Sequence, residues 1–153
     1  MKFNNLFKNN TLTNIDLYVD MDGVLAEYDI GNFDYSTIRP IKTIITKIEK
    51  LNNCQNINVK VLSICKTSKI ATEKYLWFEK HASFFSKNQL IFISKEDPTN
   101  KGISSKELKC NYLKNHKNNN NLTVLVDDDN EILSFIRKNL NDIILFQDSS
   151  LVD

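Results

Sequence analysis

Short apolar runs alternate along the chain with longer stretches in which apolar residues return every three or four positions. Ile15-Asp16-Leu17-Tyr18-Val19 is short, apolar and β-branched, and it runs straight into Asp20-Met21-Asp22-Gly23. That pattern predicts a buried strand ending in a loop. From Gly23 to Ile38 the aromatics Tyr28, Phe33 and Tyr35 mix with polar groups at no sustained period, which predicts an irregular flap. Pro40 suits the first turn of a helix. Ile41, Ile44, Ile45, Ile48 and Leu51 then form one apolar stripe, ended by Asn52 and Asn53. A second strand is predicted over Val59 to Ser63, a helix over Ile70 to His81 and a third strand over Leu90 to Ile93. Pro98 and Gly102 mark a loop. Ser104 or Ser105 is placed to cap a helix reaching Asn115, with Leu108, Tyr112 and Leu113 facing inward. A fourth strand, Leu122 to Val126, enters Asp127-Asp128-Asp129. Glu131 to Leu140 reads as helix and Ile143 to Phe146 as a fifth strand, followed by a polar tail.

Strands alternating with helices of about ten residues predict an α/β fold: a five-stranded parallel sheet covered on both faces, doubly wound in three layers. Ligands of such sheets sit beyond the carboxyl ends of the strands, where strand order reverses. A length of 153 residues fits one domain over 1–153, with 1–13 as a polar N-terminal segment and 24–38 as a flap or minimal cap.

Composition narrows the function classes. Lys and Arg (20) nearly balance Asp and Glu (19), so no global field favours nucleic acid or a membrane surface as partner. No apolar run reaches the ~18 residues of a membrane span, and Met1 to Thr13 lacks a secretory h-region. Cys54, Cys65 and Cys110 follow no metal or disulfide spacing, and they read as reduced thiols of a cytoplasmic protein. The only glycines, Gly23, Gly31 and Gly102, cannot build a GxGxxG or P-loop cradle. Phosphate would have to be held by other means.

Two strands end in carboxylates: Asp20 and Asp22 after the first, Asp127 to Asp129 after the fourth. If these strands are neighbours, four or five acids converge. Their repulsion and desolvation would call for a divalent cation with oxygen preference, for which Mg²⁺ is the natural candidate. Either cluster alone is ordinary turn and cap chemistry. His81 and His116 fit no zinc spacing, Trp77 and Phe78 read as packing, and Cys65 lacks a base to make it a nucleophile.

Val19-Asp20-Met21-Asp22-Gly23-Val24-Leu25 resembles the first motif of the haloacid dehalogenase superfamily of phosphatases. With Ala26-Glu27-Tyr28 it is similar to the small 5'(3')-deoxyribonucleotidase branch. Val61-Leu62-Ser63 resembles the second motif, Lys74-Tyr75-Leu76-Trp77 a KxxW signature of that branch, and Leu125-Val126-Asp127-Asp128 the acidic fourth motif. The resemblance spans roughly residues 15 to 146.

The resemblance implies a Mg²⁺-dependent phosphomonoesterase. Asp20 would be the nucleophile and form an aspartyl-phosphate. Asp22 would protonate the leaving alcohol and then activate water, a role helped by crowding from other acids. Mg²⁺ would be held by Asp20, the backbone carbonyl of Asp22 and Asp128, with Asp127 supporting from behind. Ser63 and the flap's first amides would bind phosphate oxygens. The family also needs a lysine. Lys101, Lys106 and Lys109 compete, and Lys109 is preferred because Lys-Cys-Asn-Tyr-Leu is similar to the KxxYL preceding the acidic strand. Asp129 departs from the branch pattern and suits a helix cap. The implied substrate is a small phosphate ester, foremost a nucleoside monophosphate, with Phe33 and Tyr35 as candidates to grip the base. A capless phosphatase acting on nucleic-acid ends, phosphoprotein or another small phosphate is the alternative within this chemistry. A non-catalytic binding domain is the alternative outside it.

Overall fold

A computed structural model describes residues 1–152. Five parallel strands form one sheet in the order β3-β2-β1-β4-β5: β1 (Ile15–Val19), β2 (Ile57–Cys65), β3 (Leu90–Ser94), β4 (Leu122–Asp127) and β5 (Ile143–Gln147). The helices are α1 (Phe3–Asn9), α2 (Lys42–Asn52), α3 (Ser68–His81), α4 (Ser105–His116) and α5 (Asn130–Asn139).

Strand parity sorts the side chains into two cores. Ile15, Leu17 and Val19 of β1, with Val59 and Val61 of β2 and Val124 and Val126 of β4, pack with Ile44, Ile48, Trp77 and Phe78 of α2 and α3. The alternate residues Tyr18, Leu62 and Leu125 pack with Leu113 of α4 and Leu133 and Ile136 of α5. Because parallel crossovers are right-handed, building the sheet outward through β2 and β3 puts α2 and α3 on one face. Returning across β1 to β4 puts α4 and α5 on the other. The reversal lies between β1 and β4, which pair in register with Val19 opposite Val126.

Element limits differ from the sequence pattern where polar residues sit at strand ends. β2 begins at Ile57, two residues early. Its first half borders β1 alone, since β3 pairs only with Val61 to Cys65, so Asn58 and Lys60 keep access to solvent. Pro40 precedes α2, which starts at Lys42, and pairs in an isolated bridge with Ala26. The N-terminal segment is more than polar chain. It forms α1, and Phe3 and Leu6, three residues apart on one helix face, are buried in the first core beside Phe146. The polar tail likewise closes with a 3-10 turn over Asp148–Leu151 that buries Leu151. No helix among the described residues is long and apolar enough to cross a membrane.

Candidate active site

The carboxyl ends of β1 and β4 carry the acids, and the backbone places them side by side. The Asp20 amide continues the β1–β4 pairing by donating to the Val126 carbonyl at 3.0 Å. Carboxylate oxygens of Asp20, Asp127 and Asp128 come within 4.8 Å of one another, with Asp20 and Asp127 buried. Asp20 and Asp127 share strand parity with Tyr18 and Leu125, so they face α4. There the ammonium of Lys109, 2% exposed, lies 2.6 Å from Asp127 Oδ2 and 3.0 Å from Asp20 Oδ1. Lys106 instead reaches Glu131 at the surface, and Lys101 is exposed. Of the three competing lysines, Lys109 meets the acids.

Charge balance at this cluster is dominated by burial. Desolvation drives the Asp20 carboxyl up to about 8: Lys109 opposes the rise, while the charges of Asp127 and Asp22 add to it. Partial burial and the charge of Asp127 push Asp128 up to about 6. Burial would lower the Lys109 ammonium, but its contacts to Asp20 and Asp127 outweigh that and raise it. Asp127 is spoken for on both oxygens, by Lys109 and by the Asp129 amide at 3.0 Å. A divalent cation fits what remains: hard carboxylate oxygens, two of them on groups that burial inclines to keep protonated in its absence.

Gly23 lies in the turn that brings the first acids round. Its φ of +80° is a left-handed conformation, and a Cβ there would lie 2.1 Å from Asp128 Oδ2. Two chemical reasons thus fix glycine at this position. The turn is closed by its own backbone: the amides of Gly23, Val24 and Leu25 donate to the carbonyls of Ala26, Met21 and Met21. This corrects the expectation that the flap's first amides cradle a phosphate, because these three are already paired within the turn.

Asp22 departs from the expected convergence of acids. Its carboxylate stands outside the three-acid cluster: Tyr35 Oη donates to Oδ1 at 2.8 Å, and Lys74 Nζ donates to Oδ2 at 2.8 Å. Asp129 also turns away, accepting from the amides of Glu131 and Ile132 as the N-cap of α5. The fifth acid of the predicted pocket is therefore a helix cap.

Lys74 is the functional-site residue that sequence reasoning did not place. It is 1% exposed, and its three protons go to Asp22, to Ser63 Oγ at 2.7 Å and to the Ile64 carbonyl at 3.3 Å. Parity explains the meeting. Ser63 falls on the same face of β2 as Val61, the face covered by α3. The signal lay in the KxxW spacing, which puts Lys74 and Trp77 one turn apart. Trp77 Nε1 donates to the Ile38 carbonyl at 3.0 Å and so fastens the flap to α3.

The flap itself, from Glu27 to Arg39, contains no helix or strand. It borders a cleft of about 200 Å³ lined by Asp22, Phe33, Tyr35, Cys65, Lys66 and Lys74, among others. Phe33 is half exposed beneath the Lys66 ammonium, 4.8 Å from its ring centre. Tyr35 also lines the cleft, but it is largely buried and its hydroxyl is held by Asp22. Cys65, at the border of the cleft, has its thiol pushed up by burial. His81 packs on Trp77, and His116 stacks on Tyr112.

No family profile and no curated relative matches this chain. A solved structure does: the HAD domain of effector protein Lem4 from Legionella pneumophila. It superposes with a TM-score of 0.50 at 11% identity over 88% of this chain and 84% of that one. The fold is of the haloacid dehalogenase type. In such a fold the acids after β1 and β4 occupy the point where strand order reverses, which is where the cluster described above sits.

Proposed function

We propose that this chain is a divalent-cation-dependent phosphomonoesterase that works through an aspartyl-phosphate, with nucleoside monophosphates as its foremost substrate class. The observation that carries the reading is the contact of Lys109 with both Asp20 and Asp127, beside Asp128. A buried carboxylate nucleophile needs a fixed cation to stand beside an incoming phosphate, and Lys109 supplies one.

Asp20 attacks phosphorus, and the bond to the leaving alcohol breaks as the new P–O bond forms. Asp22 gives a proton to the departing oxygen and takes one from the water that later cleaves the aspartyl-phosphate. Lys74 already donates to Ser63 Oγ, so the Ser63 hydroxyl proton is directed elsewhere, toward a phosphate oxygen. Asp20, Asp128 and the Asp22 carbonyl would hold Mg²⁺, which when bound screens the negative charge shared by nucleophile and phosphate. Asp127 fixes Lys109 and takes no part in the transfer.

The substrate class rests on the similarity of Asp20 to Tyr28 and of Lys74 to Trp77 to the deoxyribonucleotidase branch, together with the aromatic and cationic lining of the cleft. Wild-type protein is expected to release phosphate from p-nitrophenyl phosphate with Mg²⁺, and Asp20→Asn to release none. Absence of turnover in the wild type with any divalent ion overturns the proposal. A panel of nucleoside monophosphates, sugar phosphates and 5'- or 3'-phosphorylated oligonucleotides then tests the substrate class. Preference for the oligonucleotides would overturn it.

A further inference from the structure

We propose that Tyr35 of the flap and Lys74 of α3 are positioning residues that hold Asp22 in line for proton transfer to the leaving group, an inference that rests on the phosphatase reading above. Asp22 follows the end of β1 by three residues and its backbone is held in an isolated bridge with Ala26, which fixes the main chain and still leaves the carboxylate free to turn. Two donors from separate parts of the fold remove that freedom, Tyr35 Oη on Oδ1 and Lys74 Nζ on Oδ2, each at 2.8 Å.

The two donors differ in kind. An ammonium has no lone pair, so Lys74 keeps Oδ2 as an acceptor throughout. A neutral phenol imposes no charge, so Oδ1 can carry a proton aimed at the leaving group while its remaining lone pair still accepts from Tyr35. The exchange of protons with the substrate is thereby assigned to Oδ1, the oxygen bonded to Tyr35 of the flap. Lys74 does not reach for substrate, because its three protons are committed to Asp22, Ser63 and Ile64. Its 5.5 Å distance from the Tyr35 ring centre adds a cation–π contact that draws the two donors together. Trp77, one turn further along α3, secures the flap through the Ile38 carbonyl and so keeps Tyr35 within reach.

The consequence concerns the leaving group. p-Nitrophenolate departs without a proton, whereas phenolate is basic enough to need one, and the two phosphate esters have nearly the same shape. General acid catalysis contributes about 10²–10⁴ in rate, and misdirecting the acid without removing it should forfeit part of that. Tyr35→Phe is therefore expected to lower kcat/KM about 10-fold on phenyl phosphate and less than about 2-fold on p-nitrophenyl phosphate. Lys74→Met, checked for folding by circular dichroism, should lower both and phenyl phosphate more, because Ser63 loses its donor as well. If Lys74→Met does not fold, Tyr35→Phe alone decides. Equal losses on the two esters, or none, in Tyr35→Phe overturn the positioning role and leave the phosphatase reading intact. A wild type inactive on both esters overturns that reading and this inference with it.

Discussion

Asp20 sets how the site responds to pH. Its carboxyl is driven up to about 8 in the folded chain, whereas an unfolded Asp titrates near 4. Between those values the folded state binds more protons than the unfolded one, so the stability this group contributes in the metal-free protein declines as pH rises through the window. Asp128, driven up to about 6, acts in the same direction over the lower half. A cation at these oxygens replaces the protons, so its apparent affinity should increase with pH over the same range. Thermal midpoints recorded from about pH 5 to about pH 8, with chelator and with Mg²⁺, should show a metal-induced rise that grows with pH. A Mg²⁺ shift that is flat or shrinks across that range would contradict the placement of the ion on Asp20 and Asp128. These residues were legible in the sequence as acids after apolar runs. The lysine that meets them stood among three, and Lys109 was preferred only through its similarity to KxxYL, because which turn of α4 faces the acids depends on how that helix lies across the sheet.

At the scale of elements, the third acid of the Asp127-Asp128-Asp129 run has a separable job. Asp129 caps α5 through two backbone amides, and its side chain points away from the cluster of Asp20, Asp127 and Asp128. Asp129→Ala should cost about 1 kcal/mol of stability in urea denaturation while leaving Mg²⁺ affinity and phosphate release close to those of wild type. Loss of metal binding in this variant would place Asp129 among the ion's ligands. The sequence already offered the cap as a role for Asp129, since a short acid just ahead of a periodic apolar run is a helix-start signal. α3 was harder to read. A helix was predicted over Ile70 to His81, but Lys74 occupies a core position, and a lysine there is ordinarily taken for a solvated one. Only the meeting of α3 with β2 and the flap supplies the carboxylate, hydroxyl and carbonyl that make its burial affordable.

Over the whole molecule, the two ends of the chain close the core opposite α4 and α5. Phe3 is 1% exposed and lies edge-on to Phe146 of β5 and to Phe7, while Leu151 is buried nearby. Phe3→Ala should cost about 3–5 kcal/mol by denaturant titration, with little change in kcat/KM at conditions where the variant stays folded. A loss below about 1 kcal/mol would mean that α1 adds little to the fold. Nothing in the polar composition of residues 1–13 announced this, because Phe3, Leu6 and Phe7 give barely one turn of periodicity, too little to distinguish a docked helix from scattered apolar residues. The sequence by itself determined the alternation of strands and helices, the parallel doubly wound sheet and the two acid-bearing strand ends, since each follows from local periodicity and from the right-handedness of crossovers. Tertiary structure alone decided which charges meet. Lys109 and Lys74 approach from opposite faces of the sheet, 89 and 54 positions after Asp20 along the chain, and no local pattern encodes a contact across that separation. Tyr35 is only 13 positions from Asp22 and was still hidden as its partner, because its place is fixed by a flap without periodicity, held down through Trp77 on a helix that comes later in the chain.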